Sequence, residues 1–192
     1  MALPRGFKAD AERTAAWLRS EVGVGGTARL DLSEAAESQG VLIISAAELV
    51  SIERLKEIEG IQAYAFSACT FDINGRHIIV YNPIRSAARR ASDIAHEFAH
   101  ILLEHDLTEI QNLNGIPFRT CQPDQEEQAT ALGGTLLLPR PALLREARRG
   151  ATVDQIARRF GVTKQMAQFR WNTTGVQRQA AAAKAAANSR PK

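Results

Sequence analysis

The segment His96-Glu97-Phe98-Ala99-His100 constrains the fold more than any other stretch of the chain. Two histidines four residues apart lie on one face of an α-helix, a turn from each other, so the spacing predicts a helix with paired imidazoles. At about 100° per residue, Ile94, Phe98, Ile101 and Leu102 cluster on the side away from that pair, while Ala99 and Leu103 flank it. A helix with apolar residues on most of its circumference belongs in a core. The rest of the chain must wrap it and still leave its polar residues facing an interior site.

Histidines at i and i+4 can bind one metal ion. A third protein ligand would leave one position for water, whose pKa the ion lowers towards about 7. Glu97, beside the pair, is then placed to take the water's proton during attack on a peptide carbonyl. The pattern points to a metallopeptidase with His96 and His100 as ligands and Glu97 as general base. Two imidazoles and a carboxylate suit Zn2+, and the same donors accept Mn2+ or Fe2+. His77, just after a hairpin turn, and His105, at the helix end, are assigned no metal role.

Around this helix the periodicity predicts an α+β domain that is mainly helical, with a small sheet or β-hairpin. Helices are expected over 7–20, 32–38, 47–59, 86–105 and 124–138, and a short buried strand over Val41 to Ile44. The strongest strand signal runs from Tyr64 to Tyr81. There Asn74-Gly75 separates two apolar runs, and a tight hairpin turn needs positive φ at both of its central residues. Thr108 to Pro123 reads as a loop. From Ala180 the alanine-rich chain could be weakly helical but has no large apolar face to bury, and is expected to be frayed or disordered.

The chain has 192 residues, enough for one domain with a core plus a small appendage. No apolar run reaches membrane-spanning length and the N-terminal stretch lacks a secretory apolar core, so a cytoplasmic protein with no membrane partner is expected. Cys69 and Cys121 fit core thiols better than a disulfide framework. The net charge of +3 hides an uneven distribution. Residues 1–139 hold 12 Lys and Arg against 19 Asp and Glu, whereas residues 140–192 hold 12 against 2. Such a basic C-terminal part suits either a solvated helical face or an acidic or nucleic-acid partner.

Taken together, Ala15-Ala16-Trp17-Leu18-Arg19, the Gly40-Val41 strand entry, the hairpin into Tyr81-Asn82 and Ala95 to His100 resemble the ImmA/IrrE family of metallopeptidases. The later segment Glu126-Glu127-Gln128-Ala129-Thr130-Ala131-Leu132-Gly133-Gly134, running on to Pro139, is similar to the family's second motif. This chain departs from it at Thr130, Leu132-Gly133-Gly134 and Leu138. The resemblance implies a zincin-like fold over residues 1–140. It also implies zinc as cofactor and a protein substrate, a helix-turn-helix transcriptional repressor in characterised members. In the second motif the ligand glutamate stands three residues before alanine, which makes Glu126 the third ligand. Helix geometry agrees, because Glu126 lies at the edge of the inward face, about 60° from its centre, while Glu127 points nearly the opposite way.

Residues 141–178 are expected to form a helix-turn-helix-like module packed on that domain, and 179–192 a tail. Ile156, Ala157 and Phe160 suit a first helix, Gly161 a turn, and a second helix begins at Thr163. On that second helix Lys164, Gln165, Gln168 and Arg170 could contact nucleic acid or a partner. Yet Ala167 and Arg170 stand where a DNA-reading module usually places larger apolar residues, so packing or partner docking is favoured over DNA. The reading from a different class is a non-enzymatic DNA-binding or repressor-binding regulator with a structural metal.

Overall fold

A computed structural model of the protein describes residues 3–61, 66–105, 110–113, 116–119 and 122–188. In chain order its elements are α1 (Phe7–Glu21), α2 (Leu32–Glu37), β1 (Leu42–Ser45), α3 (Ile52–Ile61), β2 (Ala68–Ile73), β3 (Arg76–Tyr81) and α4 (Ala87–Leu102). There follow β4 (Ile110–Leu113), β5 (Ile116–Arg119), α5 (Pro123–Leu137), α6 (Arg140–Arg148), α7 (Val153–Phe160), α8 (Lys164–Thr173) and α9 (Val176–Asn188). This is the mainly helical α+β architecture that the periodicity implies.

The sheet has the order β1-β3-β2, with β1 parallel and β2 antiparallel to β3. Asn74 and Gly75, at φ 56° and 79°, form the turn between β2 and β3, and Ile73 pairs with Arg76 across it. That is the two-residue turn with both central residues left-handed. Tyr64, the expected start of this region, lies outside the described residues.

Three expectations are corrected. The helix expected over 47–59 is split into a 3₁₀ turn at Ala46–Glu48 and α3, because Ser45 caps the first and Ser51 accepts from the Arg54 amide at the start of the second. The expected loop from Thr108 to Pro123 carries a second antiparallel hairpin, β4 with β5. The expected tail is helical to Asn188, since alanine has the highest helix propensity and α9 packs along α6. Its Ala181–Ala186 stretch remains exposed, in keeping with the missing apolar face.

The core centres on α4 and α5. Ala95, Phe98 and Ala99 of α4 are fully buried, as are Ala129, Leu132 and Leu136 of α5. The two helices approach closely because Gly133 has no side chain: a Cβ there would stand 2.8 Å from the Ala95 carbonyl oxygen. Overpacking costs about 1–3 kcal/mol, which outweighs the roughly 1 kcal/mol that alanine gains over glycine in a helix. Gly133→Ala is therefore expected to lower the thermal midpoint, and an unchanged or raised midpoint in a melting experiment would show that the crossing has slack.

The C-terminal helices share this core rather than sitting beside it. Ile156, Phe160, Ala167 and Val176 are buried in the same apolar cluster as Phe7 and Leu18 of α1. Polar contacts tie the same elements. Arg19 of α1, fully buried, donates to the carbonyls of Gly25, Ala28 and Leu136, and its burial lowers its pKa against the opposing effect of Glu12. Glu12 accepts from the Arg170 guanidinium at 2.6 Å and from the Arg140 amide at 2.9 Å, which caps the first turn of α6. Arg170 also donates to the Leu138 carbonyl.

Arg170, one of the expected nucleic-acid contacts, is therefore only 6% exposed and bound internally. Its burial lowers its pKa, and the Glu12 carboxylate partly offsets that. Arg170→Ala would leave the Glu12 carboxylate and the Leu138 carbonyl short of a partner, at about 2–3 kcal/mol once partial rehydration of Glu12 is allowed for. The expected fall in melting temperature is roughly 4–12 °C. A fall below about 2 °C would mean that the pair contributes nothing net.

Candidate metal centre

α4 and α5 bring together the three residues singled out from sequence. His96 Nε2 lies 3.1 Å from Glu126 Oε2, His100 Nε2 lies 3.2 Å from Glu126 Oε1, and the two Nε2 atoms are 3.2 Å apart. These three are a group of His and carboxylate donors that could hold one ion. Ligands at 2.0–2.2 Å around a tetrahedral zinc stand roughly 3.3–3.5 Å from one another, so the observed triangle has the right size and donor chemistry. His100 is buried, whereas the His96 and Glu126 side chains keep 28% and 36% of their surface exposed, which leaves the triangle open on one side.

The far nitrogens of both imidazoles also have neighbours. His100 Nδ1 is 2.9 Å from His105 Nδ1, and the Thr130 hydroxyl stands 3.5 Å from His96 Nδ1. A partner at the second nitrogen restrains the ring orientation, closely for His100 and only loosely for His96, and helps to keep Nε2 turned to the common point. Sequence reasoning missed both roles. The sequence assigns His105 no part in the site, but Glu104 at φ 53° turns the chain so that the His105 amide bonds the His100 carbonyl and its ring meets that of His100.

Glu97 projects from the neighbouring position of α4 and is 8% exposed. Thr70 of β2 donates to Glu97 Oε2 at 2.7 Å, tying the carboxylate to the sheet. His96 and Glu97 face a cleft of about 470 Å³ whose walls come from Ala68 at the start of β2, Asp93 of α4, Gly134 of α5 and Met166 of α8. Asp93 is buried there beside Arg89, at 2.8 Å. Burial raises its pKa, and the Arg89 guanidinium opposes the rise.

The remaining candidates separate. Glu127 is half-buried and lies outside the three-residue group, although it borders a second cavity next to Glu126. Lys164 pairs with Asp154 at 3.0 Å, and Gln168 donates to Asn172. Gln165 lines the cleft itself. The basic excess is partly spent inside the fold: Arg145, Arg149 and Arg159 converge on the buried Glu146 within 3.6 Å.

A helix-borne histidine pair completed by a glutamate from a second helix, under a small sheet, defines a zincin-like metallopeptidase scaffold. The sequence profile of the Peptidase_M78 family, the IrrE N-terminal-like domain, matches residues 37–172, and the chain belongs to that family. No curated protein matches the chain significantly. Among solved structures, one described as a Mycobacterium tuberculosis transcriptional regulator is similar in fold. It has a TM-score of 0.52 and 17% identity over 85% of this chain, which spans half of that chain's length.

Proposed function

We propose that the protein is a zinc-dependent endopeptidase that cleaves a regulatory protein such as a helix-turn-helix transcriptional repressor, in the cytoplasm. The observation that carries this reading is the convergence of His96, His100 and Glu126 on one point beside Glu97. The three donors would hold the ion, with Mn2+ or Fe2+ acceptable to the same set. Bound there, the ion supplies Lewis acidity towards water and a peptide carbonyl. Glu97 takes the proton of the attacking water on a carboxylate oxygen and passes it to the leaving amine. Thr70 holds that carboxylate in place.

The sheet can orient a substrate. β2 is an edge strand, it carries Thr70, and Ala68 at its start lines the cleft. An extended peptide added along that edge would run beside Glu97.

A structural metal calls for four protein donors and a catalytic one for three. Three converge among the described residues, which supports the catalytic reading over a regulator with a structural metal. Direct DNA reading by α8 is disfavoured because Arg170 is buried and bound to Glu12. No helix among the described residues is long and apolar enough to cross a membrane. The test is mass spectrometry of candidate repressors incubated with the metal-loaded chain. A single defined cut that a chelator suppresses supports the proposal, and either no cut or a chelator-insensitive one opposes it.

A further inference from the structure

The cleft beside Glu97 is not built by the metal-bearing helices alone. Part of its wall is α8, through Gln165, Met166 and Phe169, the helix that a DNA-binding protein would keep free for the groove. Met166 is half-buried and Phe169 keeps 39% of its surface, so both present apolar atoms to the cavity. Gly134 of α5 lies against Met166. A Cβ on Gly134 would fall 2.9 Å from the Met166 sulfur, so the glycine is what lets Met166 settle against α5. Much of the rest of the lining is polar, with Ser67, Ser92 and Thr130 beside the Arg89–Asp93 pair. Phe169 and Thr130 also border a second cavity of about 360 Å³ that contains Glu126. Phe169 and Thr130 thus line both cavities, one of which holds His96 and the other Glu126.

We propose that Met166 and Phe169 form a side-chain subsite that selects a large apolar residue, of the leucine, methionine or phenylalanine kind, next to the bond to be cut. This rests on the peptidase reading above. Contact with the Met166 and Phe169 side chains gives a charged residue no partner in exchange for the water it sheds. It does bury the surface of a leucine or phenylalanine, and discrimination of tenfold or more is the expected scale. The helix that resembles a DNA reader then acts as the part of the peptidase that reads its substrate.

The test measures binding separately from turnover. Met166 is one of two methionines in the chain, so labelling with 13C-methyl methionine gives a reporter inside the subsite, assigned by its loss in Met166→Leu. The probes are otherwise identical uncharged peptides with one residue set to Phe, Leu, Lys or Asp, titrated into the metal-loaded full chain carrying Glu97→Gln. Phe and Leu peptides are expected to move the Met166 methyl signal and to bind at least tenfold more tightly than the Lys and Asp peptides. Met166→Leu should keep that preference, Met166→Lys should reverse it in favour of Asp, and Phe169→Ala should widen the subsite and relax selection by size. Equal affinities, no binding by any peptide, or binding that leaves the Met166 signal unmoved would each overturn the subsite. Digestion of the same peptides by the unaltered chain tests the other layer. Cutting without apolar preference removes the subsite alone, and selective binding with no cutting removes the peptidase reading alone.

Discussion

Glu97→Gln is expected to abolish most of the proteolysis while leaving fold and metal content intact. The amide has the shape of the carboxylate but cannot take a proton from water, and loss of a general base typically costs about 10²- to 10⁴-fold in rate. The Thr70 hydroxyl, which donates to Glu97 Oε2 at 2.7 Å, can donate equally to the amide oxygen, so the side chain should stay where it is. Because Glu97 is not one of the three converging donors, metal stoichiometry should not change. The measurement pairs cleavage rate with metal content by native mass spectrometry. Near-normal cutting by this variant would remove Glu97 from the mechanism, and loss of metal would mean that it is a ligand instead.

The second large effect separates two adjacent carboxylates. Glu126→Ala is expected to reduce metal affinity by on the order of 10²-fold or more and to remove activity with it, because two imidazoles alone hold a divalent ion weakly. Alanine is favourable in a helix, so the loss should come without unfolding of α5. Glu127→Ala, one residue on, should change neither, since the three-donor group excludes it. Calorimetric zinc titration of both variants decides the matter. The opposite pattern would reassign the ligand.

The features legible in the sequence are those written in local spacing. The α4 pattern placed Phe98 in the core and both histidines on one face, and the structure keeps them so. Asn74-Gly75 set the β2–β3 register because only residues tolerant of positive φ can make that turn. The β4–β5 pairing was not legible because the residues of both strands are too mixed to alternate visibly. What could not be read is what depends on partners distant in sequence. Arg170 looks like a surface cation until Glu12, 158 residues away, is seen to meet it. Gly133 and Gly134 look like weak points in a helix until Ala95 and Met166 are found where their side chains would be. Met166 and Phe169 gave no sign of facing the cleft, since period alone does not say which of two neighbours a helix face meets.

Glu12 has a consequence for how such a protein can be cut and recombined. One carboxylate on α1 receives both the first amide of α6 and the guanidinium of α8, so α1, α6 and α8 meet at a single residue. A fragment ending at the α5–α6 junction would strand that carboxylate and uncover the apolar surface that Ile156, Ala167 and Val176 occupy. The C-terminal helices therefore do not behave as cargo that can be exchanged between relatives at a linker. A working chimera has to take α1 along with them, which joins the inheritance of the first twenty residues to that of the helix that walls the cleft.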